Sequence, residues 1–275
     1  MTPPVRAGLL AIAGVIVLLG LSLFGAPRET DRLFAWTIAN PLTAAFLGAS
    51  YLASTTLAVA CAAEREWARG RAFAAPYLIA GVALLAVTFI HLDQFHMDGV
   101  TGWAWLVLYA IFPPATVVLL GRQLRTPGGE PPPTAPMAGL ARGLLAAQGT
   151  VMVAVGTALT LAPHDAAALW PWPLPALAAQ AGGVFVLAQG TLVLTAWHEA
   201  DWGRVRPAMI QYVVLAALHL IAIARFPDVL DWGTAGAWVY LAWLVTVLAT
   251  ALYGARQALA ARRREPAGRA LAQVA

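Results

Sequence analysis

The 275-residue chain has no lysine, one cysteine and little charge of either sign, with only 11% of its residues charged. Each shortage excludes something. The lone Cys61, set in an apolar run, rules out an intramolecular disulfide and every multi-cysteine metal or iron–sulfur motif. Its expected role is that of a small apolar packing residue. With 60% of residues hydrophobic and a mean hydropathy of +0.73, there are too few polar residues to cover a water-soluble domain of this size. All seventeen basic residues are arginine. The pI near 9.7 does not point to nucleic acid, because in a membrane protein the place of each charge outweighs the total. The sequence also lacks a phosphate-binding loop, a dinucleotide fingerprint, a Gly-x-Ser-x-Gly elbow and an HExxH pair, and no stretch between its apolar runs is long enough to house one.

What is present is eight apolar segments, near 8–25, 39–62, 74–91, 103–120, 141–162, 175–197, 208–225 and 236–254. Each is close to the ~20 residues that a helix needs to cross hydrocarbon. Continuous helix is the expected state, since an unpaired backbone amide in lipid costs several kcal/mol and no alternating barrel pattern is present.

The segments fall into two sets. Glu64-Arg65-Glu66-Trp67-Ala68-Arg69-Gly70-Arg71 returns 135 residues later as Glu199-Ala200-Asp201-Trp202-Gly203-Arg204-Val205-Arg206, with acid, acid, Trp, Arg and Arg in the same order. Gly48 and Gly183, Thr56-Leu57 and Thr191-Leu192, Asp93 and Asp228, Trp103 and Trp238, and Leu106 and Leu241 keep the same offset. The register slips by one residue only near the end, where Arg122-Gln123 faces Arg256-Gln257. The first segment, with Arg6 before it and Gly25-Ala26 after it, would suit a signal peptide. Its Gly8-Leu9-Leu10-Ala11, however, returns inside the chain as Gly143-Leu144-Leu145-Ala146, so it is expected to remain as a helix. The chain therefore reads as an all-α integral membrane protein of eight transmembrane helices in two tandem parallel four-helix repeats. The repeats cover 1–124 and 139–258, joined by a Pro/Gly-rich linker over 125–138 and followed by a basic tail over 259–275. An even number of helices per repeat gives both the same orientation, with a pseudo-two-fold axis along the membrane normal.

Charge sets the expected orientation. The face with both termini, the repeated loops and the linker carries 14 Arg against 6 acids, and the opposite loops carry 3 Arg against 7 acids. The positive-inside rule then places both termini in the cytoplasm, at the cell membrane. Arg262-Arg263-Arg264 would lie beside anionic headgroups. Trp36, Trp103, Trp170, Trp172, Trp232 and Trp238 fall near segment ends on the other side, as an aromatic belt would.

Four groups of residues are candidates for chemistry. Arg69, Arg71, Arg204 and Arg206 form a doubled set suited to an anionic lipid or a partner protein. The simpler reading is that acids and arginines pair within each short turn while Trp67 and Trp202 anchor at the headgroups. The second group is His91, Asp93, His96 and Asp98, the densest set of potential metal ligands in the chain, of a type that suits zinc, iron or copper. Joint ligation would need the helix to break, because residues five apart do not share a helix face. An interfacial turn is the plainer account, with no cofactor at all.

His219, the ionisable residue set deepest in a segment, is a functional candidate by default as proton relay, haem ligand or ligand contact, with Leu84 at the matching place in the first copy. The rival role is a neutral histidine hydrogen-bonded inside the bundle. Asn40, Gln180, Gln189 and Gln211 supply further polarity within the segments, for helix packing or for lining a pocket. Trp103, Trp105 and Tyr109 precede Pro113-Pro114 in the fourth segment, where a kink beside aromatics would border a cavity. The functional expectation is binding or transport of a small apolar or amphipathic molecule between two pseudo-symmetric halves. A membrane enzyme or redox subunit with metal or haem near His91, Asp93 and His96 is the first alternative, and an accessory subunit with membrane-protein partners the second.

Overall fold

Apolar runs bounded by proline and asparagine caps fold into eight helices long and apolar enough to cross a membrane. In the computed structural model these are α1 (Pro3–Gly25), α2 (Pro41–Ala62), α3 (Ala74–Ile90), α4 (Val100–Leu124), α5 (Gly139–Leu161), α6 (Ala176–Glu199), α7 (Arg206–Arg225) and α8 (Ala235–Ala272). Residues 1–126, 130, 132–133 and 135–272 are described, with side chains as far as residue 263. Proline in the first turn starts α1, α2 and α7, where its missing N–H leaves no bond unmade. Asn40 caps α2 by accepting from the backbone N–H of Leu42 at 2.9 Å and of Thr43 at 3.3 Å. There is no strand among the described residues, only isolated bridges between Trp36 and Phe95 and between Pro136 and Asp201.

The helix ends follow the hydropathy closely, with one departure. The last segment was expected near 236–254, with a basic tail from 259, whereas α8 runs on to Ala272. Its continuation is rich in Ala and Arg, which hold a helix outside hydrocarbon as well as within it, and runs on through Pro266 and Gly268. The side chain of Arg264, and residues 273–275 altogether, lie outside the described residues. So do Pro127, Gly128, Gly129, Pro131 and Thr134 of the expected linker. The end of that linker is docked: the Met137 N–H donates to the Ala200 carbonyl at 2.9 Å and the Trp202 N–H to that of Ala135 at 2.8 Å.

Helices pack in sequence order as α1 on α2, α3 on α4, α5 on α6 and α7 on α8. Between these pairs, α2 lies along α7 and α6 along α3. The most enclosed helices are accordingly α2 and α6, with 67% and 78% of their apolar windows buried, against 28% for α1 and 22% for α8. Glycine allows the closest of these approaches. A Cβ at Gly48 of α2 would stand 2.5 Å from the Phe24 nitrogen of α1, and one at Gly183 of α6 would stand 2.7 Å from the Leu159 Cβ of α5. Small residues that let backbones meet are the usual basis of helix association in lipid, where apolar surface alone gives no driving force.

Several aromatic residues expected at headgroup level belong to the core instead. Trp36 and Trp172 are buried, the first in rings shared with Phe34, Phe95 and Trp105, the second donating to Thr43 Oγ1 at 2.9 Å. Trp202 is buried too, with its ring edge against Tyr253. Trp103 and Trp238 are exposed as a belt would have them, and their indole N–H groups reach the carbonyls of Met97 and Trp232, each at 2.9 Å.

Candidate functional site

At the face that carries the N-terminus, the doubled loops meet. Arg69 pairs with Glu66 within its own turn at 2.7 Å. The other arginines reach across: Arg71 Nε donates to Glu199 Oε1 at 2.6 Å, and Arg206 Nε to Glu64 Oε1 at 3.0 Å, with a second bond from Arg206 Nη2. Glu130 bridges Arg71 at 2.6 Å and Arg204 at 3.1 Å, and Arg204 also lies 3.2 Å from Glu199. Pairing within each turn therefore holds for Arg69 and fails for Arg71 and Arg206. Four guanidinium groups answered by internal carboxylates make a clasp between loops, and their charge is spent inside the chain.

At the opposite face the metal-like residues do not converge. Helix α3 ends at Ile90, and His91 caps it ahead of a 3₁₀ turn over Leu92–Gln94. His91 Nδ1 accepts from Gln94 Nε2 at 3.1 Å, so Nε2 carries the proton and donates to Gln180 Oε1 at 2.5 Å. Gln180 in turn donates to the Thr160 carbonyl at 2.9 Å. His96 Nδ1 donates to the Phe34 carbonyl at 3.1 Å, and its Nε2 accepts from Thr37 Oγ1 at 3.1 Å. Asp93 and Asp98 are exposed. Both imidazoles thus use both nitrogens on protein partners, fastening the α3–α4 turn to α6 and to the α1–α2 loop. No cluster of three or more His, Cys, Asp or Glu among the described residues is placed to hold a metal ion.

The remaining polar residues are divided between packing and a cavity. Asn40 is a helix cap and Gln180 a bridge, as described above. Gln211 Nε2 donates to Gln189 Oε1 at 2.8 Å, which leaves Gln189 Nε2 and Gln211 Oε1 buried without partners. Exchanging the oxygen and nitrogen of both amides would still leave one donor and one acceptor unmatched. His219 Nδ1 faces the Leu215 carbonyl at 2.8 Å, which accepts only, so Nδ1 bears the proton. In the neutral ring Nε2 is then a lone pair; it is buried, and it has no hydrogen-bond partner.

His219 and Gln189 both line a cavity of about 290 Å³ enclosed by α2, α5, α6, α7, α8 and the α5–α6 loop. Phe46 and Ser50 come from α2, Val151, Met152 and Val155 from α5, and Tyr240, Trp243 and Leu244 from α8. No charged residue is in its lining. Phe46 lies against the His219 ring, with centroids 4.6 Å apart, and the Trp170 indole N–H in the wall is a further buried donor without a partner. Helices α5 and α8 touch only sparingly, and the lining residues Val151, Val155, Leu169 and Val239 are exposed on the outer surface of the bundle. The cavity therefore opens sideways, between helix faces apolar enough for lipid.

The fourth helix, where a kink was expected to border a cavity, borders a nearly closed space instead. It stays helical through Pro113 and Pro114, and the gap that it lines with Tyr51, Ser54, Ala80 and Phe185 measures about 40 Å³. Tyr51 and Tyr109 join their hydroxyls there at 2.7 Å, and Trp105 stacks on Tyr109 with centroids 4.4 Å apart. Sequence reasoning found His219 and Gln189 but not their setting, and it missed Trp170 and Tyr240. The available signal was loss of bulk 135 residues on from Tyr51, Tyr109 and Phe112, where Val186, Leu244 and Val247 stand. Comparison with known protein families, with curated proteins and with solved structures finds no match.

Proposed function

We propose that the protein is a multi-pass membrane protein that binds or carries a small apolar or amphipathic molecule, taken up sideways from the hydrocarbon into the cavity beside His219. One observation carries the reading: an apolar space of about 290 Å³ is lined by His219 and Gln189, each of which keeps a buried nitrogen without a hydrogen-bond partner. Such groups cost about 1–3 kcal/mol each when left unpaired. That cost is relieved when an amphipathic molecule at the site supplies the missing partners.

The architecture behind the site is proposed as two tandem four-helix repeats, 1–124 and 139–258, related by a pseudo-two-fold axis along the membrane normal. The helix partners support it, since each contact in the series α1–α2, α3–α4 and α2–α7 has its counterpart in α5–α6, α7–α8 and α6–α3. Polar contacts support it as well. Arg71 with Glu199 and Arg206 with Glu64 are one pair written twice at an offset of 135, and so are Trp103 with Met97 and Trp238 with Trp232. On this reading the linker over 125–138 joins the repeats on the arginine-rich side, and the positive-inside rule puts that side and both termini in the cytoplasm.

Mass spectrometry of the protein released from its native membrane tests the binding reading. One class of neutral lipid-phase molecule is expected to be retained, and to be lost in Val155→Trp, which places an indole across the opening. Retention unchanged in that variant, or a haem Soret band from the native protein, would overturn it.

A further inference from the structure

We propose that the apolar part of the ligand is one unbranched chain of about ten carbons, laid along α8 and stopped by a hydrogen-bonded junction of Gln148, Tyr212 and Thr250. This rests on the binding reading above and narrows the class of molecule to single-chain lipids. Helix α8 sets the length. Its lining residues Gly236, Val239, Tyr240, Trp243, Leu244 and Val247 recur at helical spacing and form one stripe on one face. From the first to the last of them the helix rises about 16 Å. Helices α2, α6 and α7 each give a single turn, Phe46 to Ser50, Phe185 to Gln189 and Leu215 to His219. The space is therefore long beside α8 and short across the other three.

Volume sets the number of carbons. A methylene takes up about as much room as one water in its liquid, about 30 Å³, so the cavity of about 290 Å³ holds roughly ten. A stretched chain advances about 1.2 Å per bond, as extended backbone does, so ten carbons reach roughly 12 Å and fit within the stripe. A fused-ring molecule of equal volume would need that room gathered in one block. The junction closes the end nearer the termini. Gln148 Nε2 donates to Thr250 Oγ1 at 3.2 Å, and the Tyr212 hydroxyl donates to Gln148 Oε1 at 3.1 Å. Each of the three lies one turn beyond a lining residue, Met152 on α5, Val247 on α8 and Leu215 on α7. Three helices are thus tied together where the lining stops, and a chain that fills the space can go no deeper. Further carbons leave between α5 and α8, where they gain nothing over the bilayer.

The test offers purified full-length protein in nanodiscs an equimolar series of 1-alkanols from octanol to hexadecanol, together with cyclododecanol. Native mass spectrometry reads the one-to-one adducts against the amounts in the bilayer. Enrichment should rise about tenfold from octanol to decanol, because each unfilled methylene position forfeits packing, and it should rise no further beyond dodecanol. Dodecanol should exceed cyclododecanol, which folds the same carbons into a ring. Two variants move the stop in opposite directions. Val151→Trp, at a lining position 44% exposed, sets an indole over the deep end, and Gln148→Ala removes the joint. The best length should shorten by about three carbons in the first and lengthen by about two in the second, from the volumes added and removed at about 30 Å³ per carbon. Enrichment that ignores chain length, or cyclododecanol at or above dodecanol, overturns the single chain and leaves the cavity reading standing. A best length that moves in neither variant overturns the junction as its stop. No adduct with any probe overturns the cavity reading itself.

Discussion

In the half that contains Leu84, the rings of Tyr51, Trp105 and Tyr109 meet and leave about 40 Å³. In the half that contains His219, the residues 135 positions after those three are Val186, Tyr240 and Leu244, and about 290 Å³ remains. The helices around both spaces have matching partners, so the difference lies in the volume and polarity of the side chains that line them, with Gln189 and His219 only at the larger. On the proposed duplication, one copy has become packing and the other a site. Bulk lost in the second copy opens space, and the polarity gained there gives the space a preference.

The largest test of that contrast is Trp105→Ala. Trp105 is buried, donates to Thr88 Oγ1 at 2.9 Å and lies against five aromatic neighbours. Its removal should lower stability by about 3–5 kcal/mol and open the closed half to apolar probes. Tyr240→Ala, beside space that is already open, should cost roughly half as much. Thermal unfolding of both variants in one detergent checks the ratio, and equal losses would mean that the two halves are packed alike.

The clasp at the other end supplies a second contrast. Glu199 answers both Arg71 and Arg204, whereas Glu64 answers Arg206 alone. Unpairing a buried ion costs about 3–5 kcal/mol, and less where water reaches it. Glu199→Ala should therefore lose about 3 kcal/mol and Glu64→Ala about 2 kcal/mol. Denaturation midpoints in the reversed order would show that Glu130 takes over for Glu199.

The smallest effect is the one that changes sign. Leu84→His should destabilise by about 2 kcal/mol, since it puts an imidazole among packed rings. His219→Leu should stabilise the ligand-free protein by about 1 kcal/mol, because it removes a buried lone pair that no protein group satisfies. Unfolding measured after delipidation reads both. A loss of stability in His219→Leu would indicate that the ring is held by the fold and not kept for a ligand.

Much of the architecture was legible in the chain. Apolar length marks where a helix must run, and proline and asparagine mark where several begin, because those signals act within one segment. The proposed duplication rests on signals of the same kind: acids, arginines and tryptophans in fixed order stand out against an apolar background. The candidate site was legible only in part. His219 drew attention as a titratable residue inside a helix, yet His91 and His96 drew as much, and the structure spends both on tying turns together. What separates them is whether a second nitrogen has a partner, and those partners lie on other helices.

The sequence by itself determined that this is an eight-helix chain of lipid-compatible surface. Hydropathy and spacing depend on neighbours along the chain, and they survive without knowledge of the fold. Only the tertiary structure decided that Arg71 and Arg206 exchange acids between loops, that His91 and His96 fasten turns to neighbouring elements, and that a space of about 290 Å³ stays open beside His219. Each of those depends on side-chain volume and hydrogen-bond partners brought together from as many as five helices.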